Sequence, residues 1–241
     1  MYISQSRRFI FIHIVKAAGE SVTELFDESG RWNDLPIGGT QFGEAVNRHY
    51  QKRHGFYKHS TSQEVRSVVG EQVWNDYFTF TFVRHPYSRI LSLYKYAARM
   101  VDSQRSPYLK RLPRKGRRKH PMWQWEAIQA YVQTNSFSEF IRHPQYHADE
   151  ASLPQTHWIQ DEHGQEIIDF VGRVENLEAD LRIVADRVGL PAFKLTQKNR
   201  SAPGSGPEHF PTEEDYRLLE EAHQADFERF DYDPKMRIPI G

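Results

Sequence analysis

The chain has no cysteine. Disulfides, thiol nucleophiles and Cys-ligated zinc are excluded together, and a reducing compartment fits. Net charge is also missing: 32 Lys and Arg balance 32 Asp and Glu over 241 residues. No global field steers the protein toward nucleic acid or a membrane, so neither is an expected partner and any basic site must be local. No apolar run approaches the roughly 20 residues of a membrane span. The opening MYISQSRRFIFIHI has too short an apolar stretch for a leader core, and no small-residue cleavage site follows it. It reads as the first core strand of a soluble, cytoplasmic protein.

What is present alternates between strand and helix patterns. Residues 9–14, FIFIHI, are β-rich and almost continuously apolar, as a strand buried on both faces requires. A helix is predicted over 19–28, followed by turn-rich GRWNDLPIGG at 30–39. Thr61 and Glu64 have capping-box spacing, which predicts a short helix over 61–70 ending at Gly70. A second strand, YFTFTFV, spans 77–83. The helix over 86–100 opens on Pro86 and carries an apolar face of Ile90, Leu91, Leu93, Tyr94, Ala97 and Ala98. Another Ser-x-x-Glu start lies at 136–141, a strand at 167–174 and a helix at 175–190 stopped by Gly189 and Pro191. A flexible loop over 199–211 leads into one final amphipathic helix at 212–230. There is no internal repeat. The expected fold class is α/β: one domain over 1–241, a central, mostly parallel sheet flanked by helices, and a basic insertion at about 101–122.

Two strand-to-helix corners carry the chemistry. At the first, FIFIHIVKAAGESVTELF, Lys16 follows the strand and Gly19 lets backbone approach a ligand. Glu20 and Ser21 stand at the helix start, where free N–H groups attract anions. The pattern G-x-x-x-x-G-K-[ST] is absent, which disfavours ATP or GTP held that way. At the second corner, FTFTFVRHPYSRILSLY, Arg84 sits at the carboxyl end of the strand, where open α/β sheets bind ligands. Arg89 and Ser92 share a helix face, with Ser88 one turn before Ser92. A guanidinium fork with a serine hydroxyl suits a second phosphate. Each corner alone also reads as a surface cation beside a turn. Together they suggest a ligand with two separated anionic groups, such as a 3′,5′-bisphosphorylated nucleotide.

On these residues the chain resembles the PAPS-dependent sulfotransferases, in the branch of carbohydrate sulfotransferases such as heparan 2-O-sulfotransferase and many bacterial members. HIVKAAGES is similar to that family's 5′-phosphosulfate loop, and FVRHPYSRILSLY to its 3′-phosphate motif. KHSTSQEVRSVVGEQVWNDYFTFTFVRHP (58–86), DFVGRVENLEADL (169–181), LPQTHW (153–158) and NRS (199–201) also resemble family segments. The resemblance implies a P-loop-kinase-like sheet and PAPS as donor, with PAP as product and no metal. It implies that Lys16 contacts the 5′-phosphosulfate, cradled by Ala18, Gly19, Glu20 and Ser21. It gives the 3′-phosphate to Arg84 and Ser92, and places Arg200 near the nucleotide. Val15, Ala17 and Glu20 stand where the family's loop has proline and two threonines, so fewer hydroxyls face the phosphate.

Sulfuryl transfer is an in-line displacement that needs a general base for the acceptor hydroxyl. His59 matches the family's histidine in KHSTS, and His54 is the second choice. The acceptor is expected to be a hydroxyl-bearing carbohydrate met by loops at 30–58, 101–125 and 143–163, with His54, Arg118 and Gln155 as contacts. His13 reads as a packed strand residue. His143 and His147 flank Pro144 and lack a third ligand, so no metal is expected. The run from Arg105 to Lys119 is either a solvated insertion or a rim for an anionic acceptor. An ATP-dependent small-molecule kinase and a non-catalytic nucleotide- or glycan-binding protein remain as alternatives.

Overall fold

The structure is a computed structural model that describes residues 1–104, 124–191, 193 and 211–237. In chain order its strands are β1 (Tyr2–Ser4), β2 (Phe9–Ile12), β3 (Leu35–Pro36), β4 (Phe78–Val83) and β5 (Phe170–Arg173). Its helices are α1 (Gly19–Glu28), α2 (Gln41–His54), α3 (Ser62–Val69), α4 (Glu71–Asp76), α5 (Pro86–Gln104), α6 (Glu126–Val132), α7 (Phe137–Arg142), α8 (Pro144–Ala148), α9 (Leu177–Val188), α10 (Glu213–Ala222) and α11 (Gln224–Arg229). The chain divides into two compact units, Met1–His85 with Gln155–Arg200, and Pro86–Pro154 with Ser201–Gly241.

The first unit holds the sheet, in the order β3-β1-β2-β4-β5. β2, β4 and β5 pair in parallel, as their continuous apolar character implies. β1 pairs antiparallel with both β2 and β3, so the sheet is mixed. Several elements fall outside the sequence expectations, β1, α4, α6 and α8 among them, and two lie in the 30–58 stretch. β3 lies inside the turn-rich 30–39 stretch, at the sheet edge where Pro36 costs no ladder bond. α2 lies inside the region expected to be loop. It buries only Gly43 and Asn47, so it has no apolar stripe to announce it. Its caps make it: Thr40 accepts from Gly43 N–H, and Gly55 closes it in the left-handed region.

Alternation along the strands sends Phe9, Phe11, Phe80 and Phe82 to one face, where α1 and α9 cover them with Val22, Leu25, Phe26, Leu181, Val184 and Val188. The aromatic rings interlock across strands, with Phe9 to Phe26 at 4.6 Å and Phe11 to Phe80 at 5.2 Å between centroids. Asp169 staples β5 to β4: its Oδ2 accepts from Thr79 N–H and from Thr79 Oγ1. Gly172 faces Phe82 in the register, and a Cβ there would lie 2.4 Å from the Phe82 ring. The capping box predicted at Thr61 and Glu64 is formed in full.

The second unit is helical. α5 buries Tyr87, Ile90, Leu91, Leu93, Tyr94, Ala97 and Val101. Arg89 is 0 % exposed, with Nη2 donating to the Leu153 carbonyl. Burial lowers its pKa, while Asp226, Tyr146 and Asp149 act against that shift. In this structure the guanidinium lies inside the helical unit, away from its surface. The same core breaks the final helix: His223 is fully buried near Asp226 at 3.8 Å, and the chain leaves helical geometry there, giving α10 and α11 instead of one helix. The basic segment has only its first residues, in the last turn of α5, within the described chain. No helix among the described residues is long and apolar enough to cross a membrane.

Gly172→Ala should force Phe82 off its rotamer. The expected cost is about 1–3 kcal/mol of overpacking, seen as a lower urea midpoint with an unchanged slope.

Candidate functional site

The first corner forms where β2 ends and α1 begins, and its backbone is unusual. Lys16 has φ 65° and Ala18 φ 59°, both left-handed and both without glycine's freedom. Two such residues cost about 1–2 kcal/mol each, and strain of this kind clusters at functional sites. The left-handed turn lets the chain reverse out of β2 within a few residues and start α1 at Gly19. Ala18 is the N-cap and offers no side-chain cap. Ser21 is half-buried, and Glu20 is exposed.

Packing also requires a glycine at position 19. A Cβ at Gly19 would lie 1.8 Å from His13 Cδ2. The buried imidazole of His13 takes the space that a side chain would need. His13 is 5 % exposed, as expected of a packed strand-end residue. Its ring pKa is held well below the usual histidine range, first by burial and then by nearby positive charge that includes His59, Lys58 and Lys16.

His59 lies against the same residue. Its Nδ1 is 2.9 Å from the His13 carbonyl oxygen. A carbonyl can only accept, so Nδ1 carries the proton and Nε2 does not. The two rings meet edge to face at 4.6 Å between centroids. Burial, then Lys58, pushes the His59 pKa down to about 3, with Lys16 adding to the fall and the His13 carbonyl opposing it. The ring is therefore neutral at pH 7 and presents an unprotonated Nε2 within the field of both lysines. Trp158 Nε1 donates to the His59 carbonyl at 2.8 Å and so fixes the backbone that carries the ring.

Lys58 was not singled out by sequence reasoning, although it directly precedes His59. Asn47 Oδ1 accepts its backbone N–H at 2.7 Å, and its Nζ pairs with Glu44 at 3.0 Å. A lysine next to a candidate base was the available signal. Trp158 and Asn47 had none, because their contacts join distant parts of the chain.

The other candidates separate clearly. Arg84 is half-buried one residue past β4, with its backbone N–H and carbonyl both bound by the Gln155 side chain at 2.8 Å. Gln155 is 0 % exposed, so it stands beneath the Arg84 corner and presents no surface to an acceptor. His54 is exposed at the last turn of α2, its ring 5.5 Å from that of Tyr50. Ser92 belongs to the second unit, half-buried on α5 one turn from half-buried Ser88. His143 caps α8 by accepting from Gln145 N–H. Among the described residues no group of three or more His, Asp and Glu is placed to hold a metal. Arg118 and Arg200 lie outside the described residues.

The histidines set an acid limit. His59 has an unfolded pKa near 6.5 and a folded value of about 3, so the unfolded chain binds more protons between those values. Stability should be full above about pH 6.5 and fall as pH drops toward 3. His59→Gln should flatten part of that slope, read from urea midpoints across the same range.

The whole-chain comparison agrees with the corners. The family model described as "Sulfotransferase family" matches residues 1–233. An uncharacterised protein of Archaeoglobus fulgidus is 24% identical over 127 residues, which is 53% of this chain and 80% of that relative. No solved structure matches. A match over nearly the full length, on a sheet whose parallel strands β2 and β4 lead into the corners at Lys16 and Arg84, identifies the chain as a member of the sulfotransferase family.

Proposed function

We propose that this protein transfers a sulfuryl group from PAPS to the hydroxyl of a carbohydrate, with His59 as general base. Family membership supports sulfuryl transfer in general. The observation that carries the finer reading is the His59 ring, neutral, proton on Nδ1, its unprotonated Nε2 under the charge of Lys16 and Lys58. The cationic, left-handed corner at Lys16 fits a phosphosulfate: it offers one ammonium and the N–H groups of a helix start.

When bound, PAPS supplies the sulfuryl group and leaves as PAP. The remaining work belongs to the chain. As the acceptor oxygen bonds to sulfur, Nε2 of His59 takes the hydroxyl proton, and Nδ1–H stays on the His13 carbonyl so the imidazolium forms in a fixed orientation. Lys16 neutralises the negative charge growing on the leaving 5′-phosphate. Arg84 holds the 3′-phosphate. An anion beside Lys16 offsets the lysine fields that depress the His59 pKa, so donor binding raises the ring's basicity toward the working pH.

Calorimetry with adenosine 3′,5′-bisphosphate, 5′-AMP and ATP tests the reading. The bisphosphate should bind best. Lys16→Ala and Arg84→Ala should each weaken it roughly 10- to 100-fold, the ~1.5–3 kcal/mol of a charge-assisted hydrogen bond. A preference for ATP would overturn the proposal in favour of a kinase.

A further inference from the structure

One short 3-10 turn, Gln155–Trp158, holds two of the candidate functional residues of the first unit, Arg84 and His59. Gln155 reaches Arg84 and Trp158 reaches His59, across 71 and 99 positions of sequence. The Gln155 contact is of a particular kind. The parallel ladder between β4 and β5 ends at the pair Val83 and Arg173. Arg84 is the next residue, where the sheet no longer specifies the chain. There the Gln155 side chain takes over: Oε1 accepts from Arg84 N–H, and Nε2 donates to the Arg84 carbonyl, both at 2.8 Å. A side-chain amide carries the same donor and acceptor as a peptide unit, so it acts as one further rung of the ladder. The amide side of the rung is fully buried, with Gln155 0 % exposed, while Arg84 is half-buried. A buried amide whose two ends meet a backbone N–H and a carbonyl cannot be replaced by a carboxylate or a hydrocarbon of similar shape without losing at least one of the two bonds.

We infer that Gln155 is a positioning residue for donor recognition. It extends strand order by one residue, so that the Arg84 side chain leaves the backbone in a fixed direction. Its place in the reaction is therefore on the donor side through Arg84, not on the acceptor side. Trp158, from the same turn, fixes the backbone of His59. The inference rests on the donor reading given above.

The test is calorimetry with two probes that differ by one group, adenosine 3′,5′-bisphosphate and 5′-AMP. In Gln155→Met, bisphosphate affinity should fall roughly 10-fold while 5′-AMP affinity stays within about twofold, so discrimination for the 3′-phosphate collapses. Added to Arg84→Ala, the same substitution should cost nothing more, because the group it positions is gone. Gln155→Glu keeps the bond to Arg84 N–H, sets an oxygen against the carbonyl, and should follow the same direction. It is the variant to use where the methionine costs the fold, as thermal melts will show. Trp158→Phe, which disturbs the same turn without touching Arg84, should keep the wild-type ratio of the two affinities. Equal loss of both probes, full retention of discrimination, or additivity with Arg84→Ala would overturn the inference. Failure of the wild type to distinguish the probes would overturn the donor reading itself, a result visible without any variant.

Discussion

The candidate site is organised by His13, the residue that follows the last residue of β2. Its carbonyl accepts from His59 Nδ1–H and thereby selects the tautomer. Its ring fills the space where Gly19 has no side chain and so sets how closely α1 can begin. One buried residue thus couples the proposed base to the turn proposed to bind phosphate. Its backbone is placed by the sheet, since Thr81 Oγ1 on β4 donates to the carbonyl of the neighbouring Ile12. The parallel pairing of β2 with β4 is what puts His13 and Arg84 at the same end of the sheet. An aromatic core under α1 and α9 keeps that pairing rigid. Chemistry that needs sub-ångström placement is in this way referred to the most stable part of the unit.

Electrostatics follows from the same packing. Three positively inclined groups, Lys16, Lys58 and His59, are concentrated by local folding in a chain with no net charge. Burial keeps the imidazoles neutral, which removes two charges that would otherwise repel the lysines. Glu44 partly balances Lys58. The result is a basic patch that is confined in space and does not rely on a long-range field.

Much of this was legible in the sequence. The parallel strands, α1, the capped α3 and the corner positions of Lys16 and Arg84 follow from apolar runs, caps and turns, which are local signals. α2 was hidden because a helix that buries only Gly43 and Asn47 shows no 3.6-residue stripe. β1 and β3 are too short to give a period. The break at His223 comes from a buried polar cluster, which leaves no mark on the helical pattern of 212–230. The packing of His13 against Gly19 was hidden for a related reason: sequence shows that a side chain is missing, not which neighbour occupies the gap. Gln155 and Trp158 act through contacts spanning 71 and 99 positions, and no local rule reaches so far.

The burial of Arg89 changes what the stretch FVRHPYSRILSLY can be taken to mean. Its two arginines answer to different masters: Arg84 stands half-open at the strand end, while Arg89 is sealed among helices. Tyr87, Ile90 and Leu93 are likewise interior. Selection for a folded protein would preserve most of the stretch even in a lineage that had abandoned catalysis. Retention of Arg84 with loss of Arg89 would signal repacking, and retention of Arg89 with loss of Arg84 would mark a descendant that has kept the architecture and given up the ligand proposed for Arg84.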